Sequence, residues 1–356
     1  MYNACIVGTG GIAAAHARAY DDPAVGDRAR LVAAYDVDAT RAEEFRREFG
    51  IDGSADSIDD LLTTYQPDIV HICTPPSLHV AQTIRCLEAG AWVYCEKPLC
   101  GSLADLDAIA AAEANGGPYC ASVFQFRFSE AAQYLRNEIA AGTFGEPTVS
   151  VCHTLWYRDE NYYAAPWRGT WESELGGPTV GHGIHAMDLY LYLLGEWREV
   201  RASARTVQRN IETEDVSAAL VTFENGSVGS IVNSVLSPKQ TTYLRFDFTD
   251  ATVEAEGLYQ FSNEHWRFTP KEGTEGLEWR PGPDRAGSHA AQLSVLLDDM
   301  ADGSRPITSG NGVRPTIEFI TALYKSAFEG VPVTRGSIDR SDPFYTSFNG
   351  GRDSLA

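Results

Sequence analysis

The first third of the sequence alternates short apolar strands with amphipathic helices, and this alternation restricts the fold more than any other feature. Residues 4–7, 31–35, 69–73, 91–95 and 119–123 are predicted strands, and short connections join them to the predicted helices. Neighbouring parallel strands need a crossover connection, which is usually a helix. The sequence therefore predicts an α/β fold that begins with a doubly wound parallel sheet.

A glycine-rich turn separates the first predicted strand from an alanine-rich helix. It consists of Gly8, Thr9, Gly10, Gly11, Ile12 and Ala13. In a turn of this kind the first glycine permits a tight bend, the second lets backbone amides approach a pyrophosphate, and a small third residue lets the helix meet the strand. The spacing indicates a dinucleotide site, but chance turns of this composition are common.

The second predicted strand ends at Asp36, where a carboxylate would accept hydrogen bonds from an adenosine ribose. Val37 follows, and the sequence predicts no arginine beside Asp36 that would bind a 2′-phosphate. This pattern favours NAD over NADP as the cofactor. The alternative is that Asp36 is only a turn residue at a strand end.

Two further strand ends carry polar residues. The third predicted strand leads into the segment 74–79, in which Ser77 is a candidate N-cap for the next helix. The fourth delivers Glu96, Lys97 and Pro98 at its carboxyl end, where open parallel sheets bind ligands. Because desolvation destabilises a lysine's charge, Lys97 is a candidate proton donor or acceptor. The alternative is an exposed Glu–Lys pair.

Together, the glycine turn, the segment 73–79 and the Glu96-Lys97-Pro98 motif resemble the Gfo/Idh/MocA family of NAD(P)-dependent oxidoreductases. The resemblance implies an NAD-binding Rossmann domain over residues 1–123 and a C-terminal α/β domain over residues 124–356, which has an open, mostly antiparallel sheet for substrate binding and oligomerisation. It also implies a set of cofactor-binding residues: Gly8, Thr9, Gly10, Gly11, Ile12, Asp36, Thr74, Pro75, Ser77, His79, Glu96, Lys97 and Gln125.

The second half of the chain is predicted to contain repeated strands and few helices. Residues 148–155, 200–206, 216–224, 226–236 and 244–249 are predicted strands. Asn225 and Gly226 predict a hairpin turn, because this pair favours the twist of paired strands. Beyond residue 336 we expect a tail that wraps a partner subunit or is loosely held.

The glycine run that precedes His182 and His185 carries the second candidate chemistry. By the family resemblance, His185 joins Lys97 around the reacting hydroxyl, but Gly181 stands where the family has an aspartate. His182, His185 and Asp188 are spaced three apart and would share a helix face, which is an alternative metal-binding arrangement. We expect no metal, and we predict Lys97 and His185 as the catalytic residues.

An aromatic-rich segment, residues 156–171, is a candidate polyol site. Aromatic rings pack on the C–H faces of a sugar or cyclitol while arginine binds its hydroxyls. The predicted substrate residues are Arg127, Trp156, Trp167, Arg168 and His182. The same composition is also typical of a subunit interface.

Charge and composition limit the possible partners. A formal net charge of -21 argues against nucleic acid, which needs clustered Lys and Arg. The seven cysteines lie mostly in apolar runs, as in reduced cytosolic proteins, and no apolar run approaches the roughly 20 residues that span a bilayer. We expect a cytoplasmic protein without a membrane partner, assembled as a homo-dimer or homo-tetramer.

The sequence therefore predicts an NAD-dependent dehydrogenase that acts on a secondary alcohol of a sugar or cyclitol. Two alternatives remain open: an NAD-binding sensor or scaffold without turnover, and an NAD-dependent glycoside-cleaving enzyme that oxidises the sugar transiently. The glycine at position 181 favours the sensor, whereas Lys97 and His185 favour an enzyme.

Overall fold

The chain forms two compact units in the computed structural model, which describes residues 1–274 and 276–352. The first unit comprises Met1–Cys100, Asp105–Val123 and His289–Arg314. The second comprises Gly101–Ala104, Phe124–Ser288 and the described chain from Pro315 onward. A late segment of the sequence thus packs with the N-terminal unit.

The first unit is built on a parallel sheet of six strands in the order β3-β2-β1-β4-β5-β6, which confirms the predicted Rossmann sheet. Its strands are β1 (Tyr2–Val7), β2 (Ala29–Tyr35), β3 (Gly53–Ser54), β4 (Ile69–Ile72), β5 (Trp92–Cys95) and β6 (Cys120–Ser122). Every residue of β4 and β5 is buried, as expected for strands covered on both faces.

The ten helices of the described chain follow the predicted alternation and then continue into the second half. They are α1 (Ala13–Arg18), α2 (Pro23–Gly26), α3 (Ala39–Phe49), α4 (Ile58–Tyr65), α5 (His79–Glu88), α6 (Leu103–Ala112), α7 (Glu130–Ala141), α8 (Ile184–Leu194), α9 (His289–Asp302) and α10 (Arg314–Glu329). In α9, Leu293, Leu296 and Leu297 are buried in the same core cluster as Tyr94 of β5.

The second unit contains a sheet of eight strands in the order β13-β12-β11-β7-β10-β9-β8-β14. Its strands are β7 (Pro147–Tyr157), β8 (Trp197–Arg205), β9 (Val216–Phe223), β10 (Val228–Ser234), β11 (Leu236–Phe248), β12 (Ala251–Gly257), β13 (Trp266–Pro270) and β14 (Val333–Thr334). Among the described residues of this sheet, β7 and β10 are the only pair in parallel, so the predicted mostly antiparallel sheet is confirmed.

Local chemistry explains the β9–β10 hairpin, which the Asn-Gly pair predicts correctly. Gly226 has φ +86°, a conformation that side chains rarely adopt, and its amide donates to the Phe223 carbonyl. Asn225 accepts hydrogen bonds from the amide and hydroxyl of Ser227. These contacts close the turn.

The C-terminal tail packs on its own unit, so the expectation of a loosely held segment is wrong for residues up to 352. Phe344 and Phe348 are almost completely buried, and Phe348 lies against the ring of Tyr324 in α10. Lys325 forms an ion pair with Asp342.

Among the described residues, no helix is long and apolar enough to cross a membrane.

Candidate active site

The glycine turn after β1 is shaped by its close approach to the end of β4. Gly8 has φ +87°, and a Cβ atom on it would lie 2.8 Å from the backbone of Cys73, so only glycine fits. A Cβ atom on Gly10 or Gly11, by contrast, would meet no atom within 4 Å beyond its immediate chain neighbours. The turn is therefore tight at its start and open where a phosphate would approach.

Asp36 follows β2 and is tied to this turn. Its Oδ2 accepts hydrogen bonds from the Thr9 amide at 2.8 Å and from the Thr9 hydroxyl at 3.1 Å. Arg41 donates to Oδ1 at 2.8 Å. Burial raises the pKa of Asp36, but hydrogen bonds from Arg41 and from backbone amides outweigh burial and hold the pKa below its ordinary value.

The prediction that no arginine lies beside Asp36 is therefore wrong. Helix α3 begins at Ala39, capped by the side chain of Asp38, and its first turn brings Arg41 back to the strand end. The ion pair places a carboxylate and a guanidinium side by side at the end of β2.

The segment after β4 is held by His79. Its Nδ1 lies 2.7 Å from the Pro98 carbonyl oxygen and its Nε2 lies 2.8 Å from that of Thr74, so the buried ring links two loops. Ser77 is exposed and lies in a short 3₁₀ turn, and the N-cap of α5 is Leu78. The prediction that Ser77 caps this helix is wrong, because the turn continues directly into α5.

Glu96 follows β5 and is the centre of a buried polar cluster. His16 Nε2 and His289 Nε2 each lie 3.0 Å from Glu96 Oε1, and the Lys97 amide donates to Oε2 at 3.2 Å. Burial raises the pKa of Glu96, but the histidine hydrogen bonds outweigh burial and hold the pKa well below its ordinary value. Glu96 is therefore an ionised carboxylate that fixes the backbone of the half-buried Lys97.

The cluster of His16, Glu96 and His289 is also the only group in the described chain with a spacing that fits a metal ion. Its N···O contacts of 3.0 Å match N–H···O hydrogen bonds between the histidine rings and the carboxylate. The alternative group of His182, His185 and Asp188 does not meet that spacing.

In the second unit, Asp188 is instead bound to Arg127. Arg127 donates to both carboxylate oxygens of Asp188, at 2.7 and 2.5 Å, and Thr316 donates to Oδ1 at 2.8 Å. Arg127 and Asp188 are buried, so this pair joins the segment before α7 to α8. Next to Arg127, Gln125 has a buried Oε1 atom without a hydrogen-bond partner in the described chain.

The glycine run leads into α8 through a π-helical turn, Thr179–Gly183. Glu214 holds the start of this turn, because its carboxylate accepts hydrogen bonds from the amides of Gly177 and Thr179 at 3.1 Å each. Such turns are frequent at functional sites. His185 lies in the first turn of α8 and is buried, with its ring 5.3 Å from that of Phe126.

His182 lies in a group of aromatic and arginine side chains that we call the Tyr162 cluster: Trp156, Arg158, Tyr162, Arg168 and His182. Arg158 Nε donates to His182 Nε2 at 3.0 Å, and the Tyr162 hydroxyl lies 3.3 Å from the same atom. The rings of Trp156 and His182 are 5.1 Å apart, edge to face. Arg168 lies 3.7 Å from the centre of the Tyr162 ring.

The structure thus brings together four of the five residues predicted to bind substrate. Trp156, Arg168 and His182 belong to the Tyr162 cluster, and Trp167 adjoins it because Arg168 lies 4.1 Å from the centre of its ring. Arg127 is bound to Asp188.

Comparison with known proteins identifies the family. A family model described as "Oxidoreductase family, NAD-binding Rossmann fold" matches residues 2–122. A second model, of the GFO/IDH/MocA C-terminal domain, matches residues 132–254. The scyllo-inositol 2-dehydrogenase (NAD(+)) of Bacillus subtilis is 30% identical over 86% of this chain and 88% of the relative. The chain belongs to the Gfo/Idh/MocA oxidoreductase family.

Other members of the Gfo/Idh/MocA family are similar over almost the whole chain. The D-apiose dehydrogenase of Paraburkholderia graminis is 27% identical over 98% of this chain and 94% of the relative. The WlbA dehydrogenase of Bordetella pertussis, solved in complex with NADH and UDP-GlcNAcA, has a TM-score of 0.81 and 26% identity, covering 95% of this chain and 99% of that one. The chain is an NAD(P)-dependent oxidoreductase of this family.

Sequence reasoning missed several residues around these sites. Arg41 has a sequence signal, since the Asp38 cap predicts that the first turn of α3 returns toward Asp36. His289 carries no comparable signal, because it contacts Glu96 across 193 residues of sequence. Glu174, which binds Arg168, lies in an irregular segment without periodicity.

Proposed function

We propose that this protein is an NAD-dependent dehydrogenase that oxidises a secondary alcohol of a sugar or cyclitol, or catalyses the reverse reduction. The observation that carries the proposal is Lys97, held by the buried Glu96 at the carboxyl end of β5 in a Rossmann sheet. Ligands bind at this edge of an open parallel sheet. Relatives named for apiose and inositol support the substrate class.

We assign the hydroxyl proton to Lys97 and His185. Bound NAD would accept the hydride at nicotinamide C4. As the hydride leaves, the hydroxyl proton must leave too, and histidine is a common general base for such a transfer. Lys97 would hydrogen-bond the same oxygen and stabilise the negative charge that develops there.

The preference for NAD rests on Asp36. Its carboxylate is ionised and can accept hydrogen bonds from ribose hydroxyls, whereas a 2′-phosphate would meet a like charge. Arg41 is engaged by Asp36, which reduces its availability for a phosphate. Open space beside Gly10 and Gly11 fits the approach of a pyrophosphate.

The Tyr162 cluster is our proposed polyol site in the second unit. Aromatic rings and two arginines there offer the apolar faces and the hydrogen-bond donors that a sugar or cyclitol requires. We also propose a cytoplasmic location, since all seven cysteines are buried free thiols.

The test mixes purified protein and NAD with D-apiose, myo-inositol, scyllo-inositol and D-glucose while the absorbance of reduced nicotinamide is followed. Net NADH formation with a polyol is the expected result. Cleavage of a p-nitrophenyl glycoside without net NADH would instead identify a glycoside-cleaving enzyme. NAD binding in calorimetry with neither reaction would identify a sensor and contradict the proposal.

A further inference from the structure

Gly181 borders open space in the second unit. A Cβ atom on Gly181 would have one atom within 4 Å outside its local backbone, namely Glu174 Oε1 at 3.7 Å, which is ordinary van der Waals contact. The neighbouring Gly177 and Gly183 differ, because a Cβ there would collide with Glu214 and Asn233. The space beside Gly181 is therefore specific to this position, and a carboxylate oxygen borders it.

Glu174 is held firmly where it borders this space. Arg168 Nη1 donates to its Oε1 at 2.9 Å, and the Gly169 amide donates to its Oε2 at 2.6 Å. The side chain is buried, so its charge is compensated mainly by these groups.

The other nearby carboxylates are committed elsewhere. Asp188 accepts two hydrogen bonds from Arg127 and one from Thr316, and it is completely buried. Glu214 accepts hydrogen bonds from the amides of Gly177 and Thr179 at the start of the π-helical turn. Glu174 differs because it contacts Arg168 of the Tyr162 cluster and borders the space beside Gly181.

We propose that Glu174 is a substrate-binding residue that supplies, from a separate segment, the carboxylate that position 181 lacks. It accepts a hydrogen bond from a hydroxyl of the polyol that enters the space beside Gly181, while Arg168 holds the carboxylate in place. Position 181 precedes His185 by four residues, about one helical turn, so this hydroxyl neighbours the one that His185 contacts. This inference rests on the proposed dehydrogenase function.

The test exchanges the carboxylate between the two positions. Gly181 has no left-handed backbone conformation, and its Cβ site is open, so the Cβ atom of Gly181→Asp meets no clash. With the panel polyol that gives most NADH, Glu174→Gln should lower kcat/KM about tenfold to a hundredfold, mainly through KM, and leave NAD affinity unchanged. The double variant Glu174→Gln/Gly181→Asp should recover most of this loss. Glu172→Gln, an exposed carboxylate in the same segment, is the matched control.

A second readout does not depend on turnover. Gly181→Asp alone places two carboxylates together, so its Tm should fall more at pH 8 than at pH 5, and Glu174→Gln should abolish this difference. Unchanged kcat/KM in Glu174→Gln, or no recovery in the double variant, would overturn the inference. If the wild type oxidises no panel polyol, the proposed function fails. In that case the Tm of Gly181→Asp still tests the placement of Glu174 beside position 181. Equal falls in Tm at pH 8 and pH 5 would overturn this placement, and a larger fall at pH 8 would support it.

Discussion

Nδ1 of His16 lies 2.9 Å from Nδ1 of His71, although both rings are completely buried. One of these atoms must donate a proton and the other must accept it. Burial lowers the pKa of His16, so the ring is neutral, and its Nε2 donates to Glu96. His71 therefore donates from Nδ1, and its Nε2 accepts the Tyr20 hydroxyl at 2.7 Å. In this series of hydrogen bonds, from Tyr20 through His71 and His16, every donor points toward Glu96.

The neutral state of His71 predicts an acid-sensitive contribution to stability. Burial lowers its pKa well below the ordinary 6.5, so below that pH the unfolded chain binds a proton that the folded chain does not. The contribution is complete above pH 6.5 and decreases as the pH falls. In urea denaturation between pH 6 and pH 5, the wild type should lose about 1 kcal/mol per pH unit more than His71→Gln. Lys239→Gln, at an exposed position of β11, should retain the wild-type slope; equal slopes in wild type and His71→Gln would contradict the prediction.

Removal of the Asp36 carboxylate should change the cofactor preference. In Asp36→Ala, Arg41 loses its ion-pair partner and becomes available for a 2′-phosphate. In calorimetric titrations, we expect the affinity for NAD to fall about tenfold or more and the affinity for NADP to rise. The double variant Asp36→Ala/Arg41→Gln should lose the gain for NADP. Wild-type protein that binds NADP more tightly than NAD would refute the role of Asp36.

Lys97→Met should separate cofactor binding from turnover. The variant keeps an unbranched apolar stem but cannot hydrogen-bond the reacting oxygen, so kcat should fall about 10²- to 10⁴-fold. NAD affinity, measured by calorimetry, should change little. Lys239→Met is the control and should retain turnover, since Lys239 is exposed on β11. Full turnover in Lys97→Met would exclude the proposed role.

The open face of the second sheet should form the interface of a homo-dimer or homo-tetramer. Val149 and Val228 are cross-strand partners on β7 and β10, and the neighbouring Leu220 on β9 is 66% exposed. An exposed apolar patch of this kind often marks an interface. Light scattering after size exclusion should show smaller species for Leu220→Glu but not for Val207→Glu, which alters a comparably exposed loop residue. A monomeric wild type would contradict this prediction.

The sequence alone is sufficient to predict the secondary-structure elements and motifs that depend on local patterns. The buried run Trp92–Cys95 and the acid and base that follow it are visible because a short apolar segment ends in charged residues. The Asn225-Gly226 turn is visible because its backbone needs a particular residue type. Such signals depend on a few adjacent residues.

The partners of these motifs are set by packing between distant segments. No local pattern in the sequence shows that α9 packs with the first unit and places His289 against Glu96. Glu174 is missed for a related reason, since its position is determined by hydrogen bonds from Arg168 and Gly169 in an irregular segment. Tertiary contacts of this kind leave no mark in local spacing.

The packing of α9 in the first unit has a consequence for synthesis on the ribosome. Leu293, Leu296 and Leu297 belong to the core cluster that contains Ala4 and Ile69, so this core remains incomplete until almost 300 residues have been made. An N-terminal fragment that ends at residue 123 would expose the apolar surface that α9 normally covers. The nascent Rossmann sheet must therefore wait for α9 while strands β7 to β13 of the second sheet are translated.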